Sequence, residues 1–365
     1  MITNSIPKVI SVLITLCFFL NSCSKEENSQ NTEKIATVKD IYVCGSDLNG
    51  VATIWKNGKA ITLDDGLAPS LNTVSHANQM CINGNDIYVV GFRVNNTSSN
   101  AGTIWKNGVP TYIESNGTYS HANLITVANN DVYIGGDISG VATIWKNGVP
   151  NSNIMTPPAP TFSTVEAISV SNNIIYTSIS TSKTSGGSLP NYDYRTKIVK
   201  NGLVYDFTKG SSYEDIKALY TTKYDVYVAG YAQINGFYKA TLWKNGVATT
   251  LSDEKGVISM NAICVINNDC YVGGYTTIFD NSTPNPVKIG NKVTIWKNGI
   301  PTYLINDNDL GSVAKVCDLK AVGNDVFALV EVKGKLSIWK NGSFYQDIAP
   351  KAGYNYTNTM YITTN

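Results

Sequence analysis

Along most of the chain, apolar and β-branched runs of four to eight residues alternate with short polar breaks, as in "ANLITVANNDVYIGGDISGVATIWKNGVP" over residues 122–150. Such runs predict strands. Breaks of the Asn-Asn, Gly-Asn and Asn-Gly kind predict tight hairpin turns, because these residues adopt positive φ at low cost. No helical periodicity intervenes.

Two landmarks recur in register. The first is an aromatic strand: "DIYVCG" at 40, "DIYVVG" at 86, "DVYIGG" at 131, "IIYTSI" at 174, "DVYVAG" at 225, "DCYVGG" at 269 and "DVFALV" at 325. The second is a block of the form Ile-Trp-Lys-Asn-Gly, centred on Trp55, Trp105, Trp145, Val199, Trp243, Trp296 and Trp339, and it uses all six tryptophans of the protein. Seven units of four short strands follow, with the block recurring every 40 to 54 residues. Four-stranded antiparallel units at this period predict an all-β, seven-bladed β-propeller.

The landmarks also locate the variable loops. From each block to the next aromatic landmark the gap is 28 to 33 residues, whereas from aromatic to block within a unit it runs from 12 to 25. Insertions therefore collect between the second and third strands, most of all "STSKTSGGSLPNYDY" in unit four and "IFDNSTPNPVKIGNK" in unit six. Trp339 has no aromatic landmark after it, and "NTMYITTN" at 358–365 resembles the first strand of a unit. That strand is expected to complete the first blade and remove the open sheet edge; "KIATV" at 34–38 is the competing candidate.

In such a meander the two tight turns of every unit share one face of the disc, and the long loops share the other. Loops on a rigid scaffold commonly carry function, so the loop-rich face is the candidate. Counting back from the start of each aromatic strand, the tenth residue is His76, His121, Thr164, Asp215, Ser259 or Lys315, with Tyr356 in the closing strand. The eighth is Asn78, Asn123, Glu166, Lys217, Asn261 or Cys317, with Asn358 in the closing strand. The sixth is apolar throughout, from Met80 to Met360. A polar ring at the mouth of the central channel follows. His76, Asn78, His121, Asn123, Glu166, Asp215, Lys217, Asn261 and Asn358 are its candidate ligand-binding residues.

Composition narrows the chemistry. With 28 basic and 27 acidic residues, no global field favours nucleic acid. Only Arg93 and Arg195 are arginines, too few for the arginine triad of sialidase-like propellers, and neither an Asp-box nor a Gly-x-Ser-x-Gly is present. His76 and His121 are the only histidines, and no Cys-x-x-Cys accompanies them, so no metal site or cofactor is indicated. "NDNDLG" from Asn306 lacks the downstream glutamate of a calcium loop and reads as turn chemistry. Five cysteines besides Cys23 fall mainly in apolar strands of the mature chain, an odd number that argues against a full disulfide framework. Carboxylates at the mouth are chiefly Glu166 and Asp215. A glycoside hydrolase or lyase acting through them is the alternative to a non-catalytic module that binds a glycan, a peptide or a partner protein. Tyr192, Tyr194 and Phe279 are further aromatics that could stack on such a ligand.

Lys8 and the apolar run from Val9 to Leu20 have the layout of a secretory signal, too short for a comfortable membrane span. The Leu-Asn-Ser-Cys that ends at Cys23 resembles the lipobox of bacterial lipoproteins, in which the cysteine is lipidated. Lys25-Glu26-Glu27 resembles the surface-export signal of Bacteroidota-type lipoproteins. These resemblances imply a signal peptide over 1–22, a lipidated flexible tether over 23–34, a propeller over 35–365, and an outer-membrane protein held by its N-terminal lipid and facing outward, with display toward the periplasm as the alternative. Over residues 40–365 the repeats resemble those of loosely related propeller lipoproteins with Trp-Lys-Asn-Gly units, a resemblance that carries no firm activity.

Overall fold

Every blade begins at the centre of the disc with one strand of eight to eleven residues, six in the closing strand, and meanders outward. The computed structural model describes residues 36–365 except 64–73, 95–99, 114–118, 152–160, 184–194, 206, 208–213, 235–236, 252–257, 281, 283–286, 309–313 and 351–358. Its 28 described strands form seven four-stranded antiparallel sheets, with no helix among the described residues. Innermost strands of blades 2 to 7 are Ser75–Asn83, Ser120–Ala128, Thr161–Ser171, Glu214–Thr221, Ile258–Ile266 and Ala314–Val322. Blade 1 takes its innermost strand from Thr359–Thr364, which pairs antiparallel with Val38–Ser46. The C-terminal strand thus closes the ring, and of the competing segment 34–38 the described residues 36–38 lead into the second strand.

The repeated block is consumed by local structure. Asn57 (φ 49°) and Gly58 (φ 83°) form the two-residue turn between Ala52–Lys56 and Lys59–Thr62, and the same pair of positive angles recurs in every blade. Asn57 Oδ1 accepts from the Ile41 amide at 2.8 Å, and its Nδ2 donates to Asp40 at 2.8 Å. Lys56 pairs with the same carboxylate at 2.9 Å and lies 5.2 Å above the Tyr42 ring. Equivalent Asp–Lys pairs join Asp86–Lys106, Asp131–Lys146, Asp225–Lys244, Asp269–Lys297 and Asp325–Lys340 at 2.7 to 3.1 Å. In blade 4, Ile174 replaces the aspartate, and Lys200 lies over Tyr176 and Tyr205 instead. The block tryptophans pack against the preceding blade: Trp105 joins Ala52, Ile54 and Leu63 of blade 1, and Trp243 joins Ile198 and Phe207 of blade 4. Fully desolvated indoles at these interfaces supply much of the adhesion between blades. The five described cysteines are buried and outside any disulfide, and burial pushes the thiols of Cys81, Cys264 and Cys270 up to about 12.

Each described innermost strand of blades 2 to 7 carries one extra residue, a β-bulge. Ladder pairing skips Asn78, Asn123, Glu166, Lys217, Asn261 and Cys317, which are the residues eight places before each aromatic strand. The bulge drives a carbonyl toward the second strand. A Cβ on Gly91, Gly136, Gly230 or Gly274 would collide with the carbonyl oxygen of His76, His121, Asp215 or Ser259, which explains the glycine that ends "YVVG", "YIGG", "YVAG" and "YVGG". Ile179 and Val330 occupy this position in blades 4 and 7, where the bulge accommodates a side chain.

Two expectations follow. Gly136→Ala should destabilise by more than about 3 kcal/mol, whereas Gly148→Ala, a turn glycine at φ 81° with open space around it, should cost only about 1–2 kcal/mol for the positive φ; chemical denaturation of the two variants checks the ordering. The six paired aspartates titrate below the ordinary carboxylate range, held there by hydrogen bonds from lysine and, first of all at Asp225, from Asn245. A carboxylate depressed in the folded state contributes stability above its unfolded pKa and loses it as pH falls through the folded value. The denaturation midpoint should therefore decline once pH drops below about 4, and less steeply in Asp131→Asn.

Candidate functional site

On the loop-rich face, the mouths of blades 3, 4 and 5 enclose a cavity of about 500 Å³. His121, Thr164 and Asp215 come to it from the tenth positions, Glu166 and Lys217 from the bulges. The bulge is what turns the latter two toward the opening, since an unpaired residue leaves the alternation of the strand.

His121 is fixed from three sides. Its Nδ1 lies 3.2 and 3.3 Å from the two Asp137 oxygens, and the Asn100 amide reaches Nε2 at 3.0 Å. With Asn100 donating to Nε2, Nδ1 carries the proton and donates to Asp137. Phe92 meets the imidazole edge-on at 5.6 Å. Asp137, buried at 6% exposure, also accepts from the Gly140 amide at 3.4 Å and the Thr164 hydroxyl at 3.5 Å, so one carboxylate ties blade 3 to blade 4. Glu166 accepts from Ser180 Oγ at 2.8 Å, and Lys217 pairs with Asp215 at 3.0 Å.

Aromatic surface borders these polar groups. Gly140, at φ 73°, has no Cβ to obstruct the Phe162 ring and the Tyr119 hydroxyl, both of which a side chain there would strike. Phe162 is 50% exposed and Tyr119 37%. Burial, and then the charge of Asp137, push the Tyr119 phenol up.

Of the nine ring residues expected from sequence, the structure brings His121, Glu166, Asp215 and Lys217 to this cavity. His76 lies elsewhere: it is 2% exposed, bonded to Ser46 Oγ at 2.7 Å and packed on Phe92 at 4.9 Å. Asn78 and Asn261 serve neighbouring blades. Asn78 Nδ2 donates at 3.3 Å to the Ala122 carbonyl and to Oδ1 of Asn123, and Asn261 Nδ2 donates at 2.9 Å to the Val316 carbonyl. Asn358, Tyr356, Tyr192, Tyr194 and Cys23 lie outside the described residues, and Phe279 sits in the sheet of blade 6 opposite Lys288. Asp307 of the Asn/Asp cluster is buried and pairs with Lys333 at 3.8 Å. No group of three metal-ligating side chains is present among the described residues.

Asp137, Ser180, Tyr119 and Phe162 were not singled out by counting backward. A forward count would have found two of them. The sixth residue after the start of each aromatic strand pairs across the ladder with the tenth before it, which places Asp137 opposite His121 and Ser180 opposite Thr164. Asn261→Ala should leave the Val316 carbonyl without this partner and cost about 1–3 kcal/mol, which chemical denaturation of the variant against the parent checks.

No protein-family model matches the chain, and no curated protein matches it in sequence. Solved structures do resemble it. A puromycin-hydrolysing peptidase of Mycobacterium tuberculosis superposes with a TM-score of 0.50 at 10% identity, over 87% of this chain and 53% of that one. The β-propeller domain of the Trilobed protease from Pyrococcus furiosus aligns at 14% identity and TM-score 0.44, over 86% of this chain and 95% of that one. The periplasmic gluconolactonase of Pseudomonas aeruginosa aligns at 8% identity and TM-score 0.45, over 89% and 99% respectively. At these identities the likeness is one of fold, and the fold is a β-propeller.

Proposed function

We propose that the protein is a non-catalytic binding module that takes a glycan in the cavity between blades 3, 4 and 5. It is tethered to the outer membrane by a lipid on Cys23 and displayed outward. The observation that carries the reading is the composition of the cavity: exposed aromatic surface from Phe162 and Tyr119 beside fixed donors and acceptors from His121, Thr164, Glu166, Ser180 and Lys217. A sugar ring presents an apolar C–H face and a rim of hydroxyls, the complement of that lining. His121 is held by Asp137, Glu166 by Ser180 and Asp215 by Lys217, so the cavity presents these polar groups in fixed orientation.

Tethering is supported by the lipobox-like Leu-Asn-Ser-Cys and the polar stretch behind it. Thr37 bonds to Asn365 beside the tight turns, so the chain enters the propeller on the face opposite the cavity.

One observation favours a second reading, a glycoside hydrolase or lyase: both Glu166 and Asp215 border the same cavity. Two carboxylates are the minimum such chemistry requires.

A glycan array probed with the unlipidated mature chain from Ser24 should reveal a retained sugar class. Phe162→Ala and Lys217→Ala should each lower its affinity at least roughly tenfold, about 1.4 kcal/mol. The retained glycan should be recovered intact by mass spectrometry. Binding that survives both substitutions removes the cavity from the account, and cleavage abolished by Glu166→Gln establishes the enzyme reading instead.

A further inference from the structure

A second cavity opens on the opposite, short-turn side of blade 4, where the repeat departs from its own pattern. At the other interfaces an indole fills the gap to the preceding blade, and an aliphatic or aromatic side chain from that blade closes over it. Leu63 does so for Trp105, Ile113 for Trp145, Phe207 for Trp243 and Leu251 for Trp296. These closing residues stand eight places after their own block position. Between blades 3 and 4 both members of the pair are changed. Val199 replaces the tryptophan, and the residue eight places after Trp145 is Asn153, which lies outside the described residues.

Val199 packs with Ala142 and Ile144 of blade 3, and beside them lies a cavity of about 200 Å³. Ile144, Ile175 and Val199 give it apolar walls, while Asn151, Thr177 and Asn201 supply its polar edge. An engineered apolar cavity of about 150 Å³ in another protein suffices to bind benzene, so this one has room for a bicyclic ring. Its polar edge carries a donor. Asn201 Oδ1 accepts from the Ile175 amide at 2.8 Å, as its counterparts do in every blade. The counterparts give their Nδ2 to the aspartate that opens the aromatic strand, but Ile174 stands there in blade 4. Asn201 is exposed, and among the described residues its Nδ2–H, at the solvent edge of the cavity lining, meets no protein acceptor.

We propose that this gap is a ligand site for a flat bicyclic aromatic molecule of indole size carrying a hydrogen-bond acceptor on its edge. The ring takes the place that the tryptophan side chain fills at the sister interfaces, and the acceptor meets Asn201. The site is independent of the glycan reading, since it lies on the other face and uses none of the same residues.

Indole and indole-3-carbaldehyde serve as probes, titrated calorimetrically into the mature chain. Saturable one-to-one binding is expected, tighter for the aldehyde because it adds the acceptor. Val199→Trp should raise the melting temperature and weaken both probes by at least roughly tenfold. Should that variant fail to fold, Val199→Leu, which fills part of the space, should weaken them by roughly threefold. Phe162→Ala, in the other cavity, should leave the affinity unchanged. No saturation up to the solubility limit of either probe overturns the proposal. So does undiminished affinity in the folded Val199 variant, and so does an affinity that falls with Phe162→Ala.

Discussion

One extra residue in each innermost strand constrains the centre of the disc. A regular strand would bury or expose its side chains in strict alternation and leave its inner edge to water. The bulge at Asn78, Asn123, Glu166, Lys217, Asn261 and Cys317 breaks that alternation at one level in six blades. Its cost is a carbonyl forced against the second strand, relieved in four blades by glycine. The gain is a set of side chains free to reach sideways. Where the extra residue is Asn78 or Asn261, it bonds to the carbonyl next door and joins the blades. Where it is Glu166 or Lys217, it faces the cavity. The same backbone device thus joins blades on part of the ring and lines the cavity on another.

The two faces divide the work. On the short-turn face, the Lys-Asn-Gly turn, the aspartate and the aromatic ring satisfy one another within each blade, and an exposed ion pair of this kind contributes little singly. Repetition makes the face uniform and leaves it few unused groups. Blade 4 is the exception on both counts, having lost the aspartate at Ile174 and the tryptophan at Val199. On the loop-rich face, variation between blades is the rule, and the cavity forms where blades 3 to 5 place unlike side chains at equivalent positions.

Repeat number, strand order and ring closure were legible in the sequence because each rests on local signals that recur seven times. The glycine ending the aromatic strand was visible as a pattern, but its cause, a carbonyl from the adjacent strand, exists only once the bulge forms. Half of the site was legible for a related reason. Counting from one landmark found His121, Glu166, Asp215 and Lys217, whose positions depend on a single strand. Asp137 and Ser180 required the ladder register, and Phe162 and Tyr119 required the packing around Gly140. His76 stands in the same Ser-His-Ala-Asn as His121, yet Ser46 and Phe92 enclose it while His121 lines the cavity. Identical local sequence met different neighbours, which a repeat alignment cannot reveal.

Hydroxyl-radical footprinting with and without the retained glycan tests most directly whether recognition resides on the loop-rich face of blades 3 to 5. Tyr119 and Phe162 should become protected, while the exposed outer-strand aromatics Tyr112, Tyr303 and Phe344 react as before. Protection of the outer strands with Tyr119 and Phe162 unchanged would contradict the account.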